Sequence, residues 1–440
     1  MKKNSVVHLF EKAGLGAEVI NQLAVVTGFI LRCRKIKAVE FLIYLITESV
    51  RGCVSCNDLA AAIDFESQTT ASRQAYHKKM GPASLRFFEA ILARILQAKT
   101  TTPLAFPLKK FKRILVQDST VVKLPTKLMA VFSGVKNATT QVCNARIQCV
   151  YDLLSGSFTH WSMHAYRKND LVVASDLEVR MGDLVLRDRG YFTPNELQRI
   201  MAAQGDFVSR YKHKTTLYHP ETGEEIDLFR LLKTERNIDR NVLIGKDQPI
   251  EVRLLAAKVS QEIASRRRQK AKKENKGHNP SKEVLFLLGY TIFFTSLTSQ
   301  EININDFLEL YGLRWRIENI FKTWKSHFNF DKIHEVGETQ LRLILMARFM
   351  AITLIYEKVY VPLSRMMADK SDKTLSLMKL MRYLSRNFRA IPQLLKAAGG
   401  SVQHLEIVEK YCAYDKRKRP NYPVKESKIL IIMETTVSLS

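Results

Sequence analysis

The sequence predicts a mixed α/β core flanked by two helical regions, and three observations carry that expectation. Apolar residues recur at helical spacing before residue 100 and again after residue 340. Between them, short apolar runs separated by turn residues follow the order β-β-β-α-β-α-β. Two of those runs end in an aspartate. The 440 residues are 46% hydrophobic and 25% charged, proportions that exclude a chain disordered or of low complexity from end to end. A length of this order accommodates about two to four domains.

Residues 1–100 read as the first helical domain. The apolar period through residues 38–46 gives one helix, and the Ser55, Asn57 and Asp58 cluster can cap the next. Ser67, Thr69 and Thr70 then precede a basic segment holding Arg73, Lys78 and Lys79. Helix, turn and basic helix fit either a helix-turn-helix or a plain helical bundle. Thr101, Thr102, Pro103 and Pro107 mark a linker.

The core is expected over residues 110–330. Residues 113–118 form a buried strand, and 145–153 and 157–166 form two more, joined by a turn at Leu154, Ser155 and Gly156. Asn169 caps a helix through Val179, residues 183–188 repeat the pattern of an apolar strand ending in aspartate, and Thr193 with Pro194 opens another helix. Residues 207–211 supply a fifth strand. Residues 212–300 read as an insertion with strand-like pieces at 252–255 and 284–294 and a dense basic tract: Arg266, Arg267, Arg268, Lys270, Lys272, Lys273 and Lys276. A long helix follows over 305–328. Residues 340–440 form a helical C-terminal region that ends in a polar tail beginning at Lys416.

The 69 Lys+Arg against 43 Asp+Glu give a net charge of +26. An excess of this size points to a polyanion, because basic side chains neutralise phosphates and release counterions. Nucleic acid is the expected partner, with an anionic membrane surface as the lesser alternative. A membrane span is excluded: the best candidate, residues 341–356, is short and carries Arg342 and Arg348. Glu11 and Glu18 interrupt the N-terminal segment, so no secretory core is expected and the cytoplasm is the default location. The six cysteines read as free thiols. Cys53 and Cys56 have no second ligand pair to complete a zinc site, and Gly245-Lys246 lacks the upstream glycine of a phosphate loop.

Asp118 and Asp188 are the candidate catalytic carboxylates. A carboxylate at the end of a buried strand is costly unless it is paired or binds a cation, although either one alone could be a turn aspartate. The third element is the helix through residues 311–325. At about 100° per residue, Tyr311, Arg314, Glu318 and Lys325 share one narrow stripe, beside an apolar one of Leu310, Ile317, Phe321, Trp324 and Phe328. Such a helix packs by one edge and aims four polar side chains along a cleft. The plain alternative is a solvated face with an Arg314–Glu318 pair worth about 0.2–0.5 kcal/mol. Trp315 and Trp324 read as core.

Asp118-Ser119-Thr120, Asp188-Arg189-Gly190-Tyr191 and Tyr311-x2-Arg314-x3-Glu318-x6-Lys325 together resemble the DDE transposases of bacterial insertion sequences, specifically the insertion-sequence-four group with its Y-R-E-K signature. The resemblance spans about residues 110–330. It implies an RNase H-like catalytic core with a β-rich insertion, a helical N-terminal domain for DNA ends and a helical C-terminal region for dimerisation. It also implies that Asp118, Asp188 and Glu318 hold two Mg²⁺ ions, with Mn²⁺ as a substitute, for in-line displacement at phosphorus. Tyr311, Arg314 and Lys325 would grip DNA beside the cut. Arg189, Arg266, Arg267, Arg268, Lys270, Arg73, Lys78 and Lys79 are further candidate DNA contacts. The implied partners are double-stranded DNA, as terminal inverted repeats and target, and a second copy of the chain. One departure stands out: the three tryptophans are Trp161, Trp315 and Trp324, with none in 212–300. Tyr211 or Tyr218 would have to stack a flipped base, so a hairpin intermediate stays open. The competing functions are an RNase H-fold nuclease that cuts without joining and a DNA-binding protein without catalysis; the intact acidic triad argues against the second.

Overall fold

The computed structural model describes residues 3–32, 35–52, 54–67, 71–97, 111–134, 142–167, 171–172, 176–274, 279–370, 373–387, 390–398 and 405–415. In chain order the described elements are α1 (Lys3–Lys12), α2 (Ala17–Val26), α3 (Ala38–Arg51), α4 (Cys56–Ser67), α5 (Arg73–Lys79), α6 (Pro82–Gln97), β1 (Arg113–Lys123), β2 (Asn144–Asp152), β3 (Ser157–Ala165), β4 (Asp183–Arg187), α7 (Pro194–Ala202), β5 (Asp206–Arg210), β6 (Leu217–Tyr218), α8 (Leu228–Thr234), β7 (Asn237–Ile244), β8 (Ile250–Lys258), α9 (Gln261–Glu274), α10 (Lys282–Leu287), β9 (Tyr290–Thr295), α11 (Ile304–Gly312), α12 (Trp315–His327), α13 (Glu338–Ile355), α14 (Val361–Lys370), α15 (Leu377–Arg386), α16 (Ile391–Ala398) and α17 (Leu405–Cys412). A mixed α/β core with helical regions at both ends is the fold class the sequence predicts.

Two compact units share these elements. The described part of the first lies within Met1–Pro103, Ser119–Lys168 and Arg316–Val424, and that of the second within Leu104–Asp118 and Asn169–Trp315. The chain passes from one unit to the other directly after Asp118 and directly after Trp315.

The second unit is organised around its sheet, in the order β1–β4–β5–β9–β8–β7–β6. β1 and β4 pair in parallel from Arg113↔Asp183 to Gln117↔Arg187, and β4 and β5 pair in parallel from Leu184↔Asp206. Ile114, Leu115 and Val116 on β1, with Leu184, Val185 and Leu186 on β4, are all buried, as expected of strands covered on both faces. Beyond β5 every pairing is antiparallel, through β9, β8, β7 and β6. The insertion therefore extends the core sheet. Thr193 caps α7 by accepting a hydrogen bond from the Glu196 N–H (3.2 Å), with proline in the first turn.

In the first unit β2 and β3 form an antiparallel hairpin, turned at Gly156 with φ +68°. Phe29, Phe41, Phe87 and Phe88 make an aromatic core for the N-terminal helices. α3 and α6 pack on α13, so the N-terminal helices share a core with the C-terminal ones. Arg348, fully buried on α13, ties this arrangement: its guanidinium donates to the carbonyls of Ser49 (2.7 Å), Gly52 (2.5 Å) and Lys332 (3.0 Å). Trp324 packs among Phe158, Phe321, Phe330 and Phe349. After α13 the helix widens into a π-helical turn, Tyr356–Tyr360, which buries Glu357.

Several expectations need correction. The helix expected over 305–328 is two helices: Leu313 N–H bonds to Leu310 and Arg314 N–H to Tyr311, three residues back, and the α-helical ladder stops there. The strand expected over 284–294 is α10 followed by β9, with Ser281 capping α10 through Val284 N–H. Of the helix expected over 169–179, residues 169, 170 and 173–175 lie outside the described residues, and 177–179 are not helical. Trp315 is 48% exposed and is not core, whereas Trp324 is. α8 and β7 add to the elements the sequence predicts. Cys56, Cys143, Cys149 and Cys412 are buried and none forms a disulfide among the described residues; Cys33, Cys53, Lys276, the 101–107 linker and the tail from Lys416 lie outside the described residues.

Candidate active site

Asp118 and Asp188 both belong to the second unit, and the pairing of their strands brings them together. The last matched pair of the β1–β4 ladder is Gln117↔Arg187; Asp118 is the next residue within β1, and Asp188 is the first residue after β4. Neighbouring strands run about 4.8 Å apart, so the register sets the two residues at adjoining positions. The register is anchored at the other end, where the Arg113 guanidinium forks onto Asp183 through Nε (2.8 Å) and Nη2. Asp183 is 1% exposed and also accepts the Arg180 N–H (2.7 Å). The sequence reading missed this pair. Its signal was available: an opposite charge opens each strand, five residues before each aspartate.

The residue before Asp188 is also fixed. Arg187, buried on β4, donates to Glu196 of α7 (3.0 Å), and Arg199 grips the same carboxylate (3.1 Å). Burial pushes the Glu196 carboxyl up, but the hydrogen bonds from Arg199 and Arg187 outweigh it and hold the group below its ordinary range. This triad locks β4 to α7 directly beside the turn that carries Asp188.

Tyr311 ends α11, with its ring 4.7 Å from that of Phe293. Its hydroxyl lies 3.4 Å from both the Arg187 carbonyl and Asp188 Oδ1, a long contact in which the phenol donates. Burial, opposed by Arg314 and aided by Asp188, holds the phenol well above its ordinary range, so it stays a donor at neutral pH. Arg314 occupies the turn after α11 and donates from Nη1 to Asp118 Oδ2 at 2.8 Å; the two side chains are only 9% and 17% exposed. Two members of the four-residue signature thus contact the two aspartates. Glu318 and Lys325 lie on α12, in the first unit. Lys325 donates to the Val121 carbonyl on the second half of β1 (2.8 Å); burial lowers its pKa, with Asp331 opposing.

The donor set fits a hard divalent cation: carboxylate oxygens at adjoining strand positions are the ligands such ions take. Among the described residues no three His, Cys, Asp or Glu side chains gather at one point. Two of the three expected ligands therefore stand together in one unit, and Asp118 carries a guanidinium in this arrangement.

The other candidate contacts divide by environment. Arg189 is exposed in the turn after Asp188. The basic tract forms α9, but two of its arginines turn inward. Arg267 donates to the Tyr290 carbonyl (2.9 Å) and Thr291 Oγ1 (3.0 Å), and Arg268 to the Leu285 carbonyl (2.9 Å). Arg266 and Lys270 stay exposed, paired with Glu262 and Glu274 on their own helix. Arg73 and Lys78 are exposed on α5, whereas the Lys79 ammonium bonds to the Phe29 carbonyl and lies 4.4 Å above its ring.

The model of the family described as Transposase DDE domain matches residues 109–354, more than half of the chain. The chain belongs to the DDE transposases. Among curated relatives, the transposase for insertion sequence element IS231B of Bacillus thuringiensis subsp. berliner is 26% identical over 388 residues, covering 81% of this chain and 80% of that one. The transposase for IS1151 of Clostridium perfringens is 27% identical over 398 residues, covering 84% and 83%. The putative transposase InsL for IS186A of Escherichia coli (strain K12) is 24% identical over 344 residues, covering 74% and 87%. The insertion-sequence-four group fits these relatives. In three dimensions this transposase is similar to the piggyBac transposase of a synaptic complex with hairpin DNA at a TM-score of 0.43 and 11% identity, covering 94% of this chain and 86% of that one. No described helix is long and apolar enough to cross a membrane.

Proposed function

We propose that this transposase recognises the terminal inverted repeats of an insertion sequence, and that Asp118, Asp188 and Glu318 hold two Mg²⁺ ions, replaceable by Mn²⁺, for cutting and joining. Membership of the DDE family makes the chain a divalent-metal-dependent enzyme of DNA cleavage and strand transfer, with DNA as its partner. The observation that carries the site assignment is the in-register pair: Asp118 and Asp188 follow directly on matched residues of two parallel strands. Glu318 enters from the spacing of the signature. Bound there, the ions would activate the attacking oxygen and stabilise the leaving one, so no protein nucleophile is needed.

The protein's own groups do the rest. Arg314 offers a planar fork to a phosphate, Lys325 a point charge and Tyr311 a hydroxyl donor. Exposed cations on α5 and α9 would hold flanking DNA by counterion release. Two copies acting on paired ends would complete the assembly, and the substrate places the enzyme at the nucleoid.

The test uses a duplex carrying the repeat read from the DNA that flanks the gene. Asp118→Asn, Asp188→Asn and Glu318→Gln each abolish Mg²⁺-dependent nicking while the gel-shift affinity is retained. Full cleavage by any of the three rejects the assignment, and nicking without a joined product identifies a nuclease instead.

A further inference from the structure

The contact between Arg314 and Asp118 links two events that the proposed function treats separately. The inference rests on the reading of Asp118 as a metal ligand. We propose that Arg314 is an internal counter-cation for Asp118, drawn away by a DNA phosphate, so that engaging DNA and admitting a divalent cation become one coupled step.

Arg314 Nη1 lies 2.8 Å from Asp118 Oδ2, with both side chains largely removed from water. Asp188 stands beside Asp118 on the adjoining strand. Two carboxylates at such spacing repel each other, and a guanidinium on one of them relieves that repulsion. A divalent ion binds a carboxylate oxygen at about 2.0–2.6 Å, inside the reach of the guanidinium, and adds a second positive charge next to the first. Arginine and metal therefore compete for Asp118.

A phosphodiester changes the balance. Its two non-bridging oxygens accept the same fork as a carboxylate, so Arg314 can exchange one anion for the other and keep a charged partner throughout. The position of Arg314 allows the exchange. It sits in the two-residue turn between α11 and α12, where its N–H bonds to Tyr311 at 3.1 Å, and not within a helical ladder. By linkage, whatever factor DNA contributes to metal affinity, metal returns to DNA affinity.

The experiment measures Mn²⁺ binding to the full-length protein by the electron paramagnetic resonance of free Mn²⁺, with and without the flanking-repeat duplex. Without DNA, Arg314→Gln binds Mn²⁺ at least about fivefold more tightly than wild type, the low end of ordinary coupling between sites. Arg314→Lys, which keeps the charge, stays within about twofold of wild type on the same scale. The duplex tightens Mn²⁺ binding to wild type but not to Arg314→Gln. The proposal is overturned if Arg314→Gln binds no more tightly than wild type, if DNA tightens both equally, or if Arg314→Lys matches Arg314→Gln. Asp118→Asn separates this proposal from the site assignment: unchanged Mn²⁺ binding in that variant removes Asp118 as a ligand, whereas abolished binding leaves the arginine test standing alone.

Discussion

Arg113 and Asp183 are partners on the first rung of the β1–β4 ladder, and their ion pair sets the register that delivers Asp118 and Asp188 side by side five residues later. Asp183 is 1% exposed, so removing Arg113 takes the guanidinium from a buried charge that keeps the Arg180 N–H. Arg113→Met is expected to lower stability by about 3–5 kcal/mol, and Arg113→Met with Asp183→Leu to recover most of it, because a buried pair replaced whole by apolar groups costs little. Urea denaturation of the two variants checks this, and equal destabilisation in both would contradict it.

A second prediction concerns Glu357 in the π-helical turn. Burial raises its pKa to about 8, against the pull of Lys358 and of the Phe158 N–H, which lies 3.3 Å from Oε1. The folded protein then binds a proton that the unfolded chain has released above its ordinary 4.5. The stability from this proton is fully present below pH 4.5 and is lost as pH rises through about 8. Glu357→Gln, which stays neutral throughout, should flatten the fall over that window. Denaturant midpoints at several pH values measure it; the same slope in both proteins would refute it.

The arginines of α9 should separate into two classes. Arg267→Ala removes hydrogen bonds to Tyr290 and Thr291 and is expected to lower the melting temperature. Arg266→Ala, Lys272→Ala and Lys273→Ala should leave melting unchanged. Each of these side chains that neutralises a phosphate should, when truncated, reduce the slope of log K against log salt by about 0.9. Paired thermal melts and salt titrations of DNA binding read the two effects independently.

Arg348 offers a fourth test. Its carbonyl acceptors lie at the end of α3, in the turn after it and in the loop before α13. Arg348→Met takes the donor from the buried Ser49 carbonyl and from the Gly52 and Lys332 carbonyls and is expected to cost on the order of 3 kcal/mol. Proteolysis between residues 49 and 52 should accelerate with it, since that turn loses its anchor. Unchanged cleavage at that turn would count against the role.

Asp118 and Asp188 were legible because each follows a clear apolar run of a buried strand; Asp188 does follow the end of β4, whereas β1 runs on past Asp118 to Lys123, since the polar and apolar residues after Asp118 carry no turn signal. The flanking helical regions were legible from period alone. The break at Leu313 was not: a three-residue hydrogen bond alters the ladder without interrupting the apolar period, and the stripe drawn through Tyr311, Arg314, Glu318 and Lys325 crosses it unseen. The run at 284–294 is apolar but for Gly289 and Thr291, which fits helix and strand alike; Gly289, between α10 and β9, was the available signal. Arg267 and Arg268 looked like surface charge because composition does not record which carbonyls a guanidinium can reach.

The split between α11 and α12 alters what the spacing of the Y-R-E-K letters measures. Tyr311 and Arg314 are set by the end of one helix and its turn, Glu318 and Lys325 by the phase of the next. Turns accept added residues far more readily than helical interiors do. The interval between arginine and glutamate starts in a turn and ends in the first turn of a helix. The four letters therefore record two local constraints, a helix end and a helix phase, where a single helical stripe would record one.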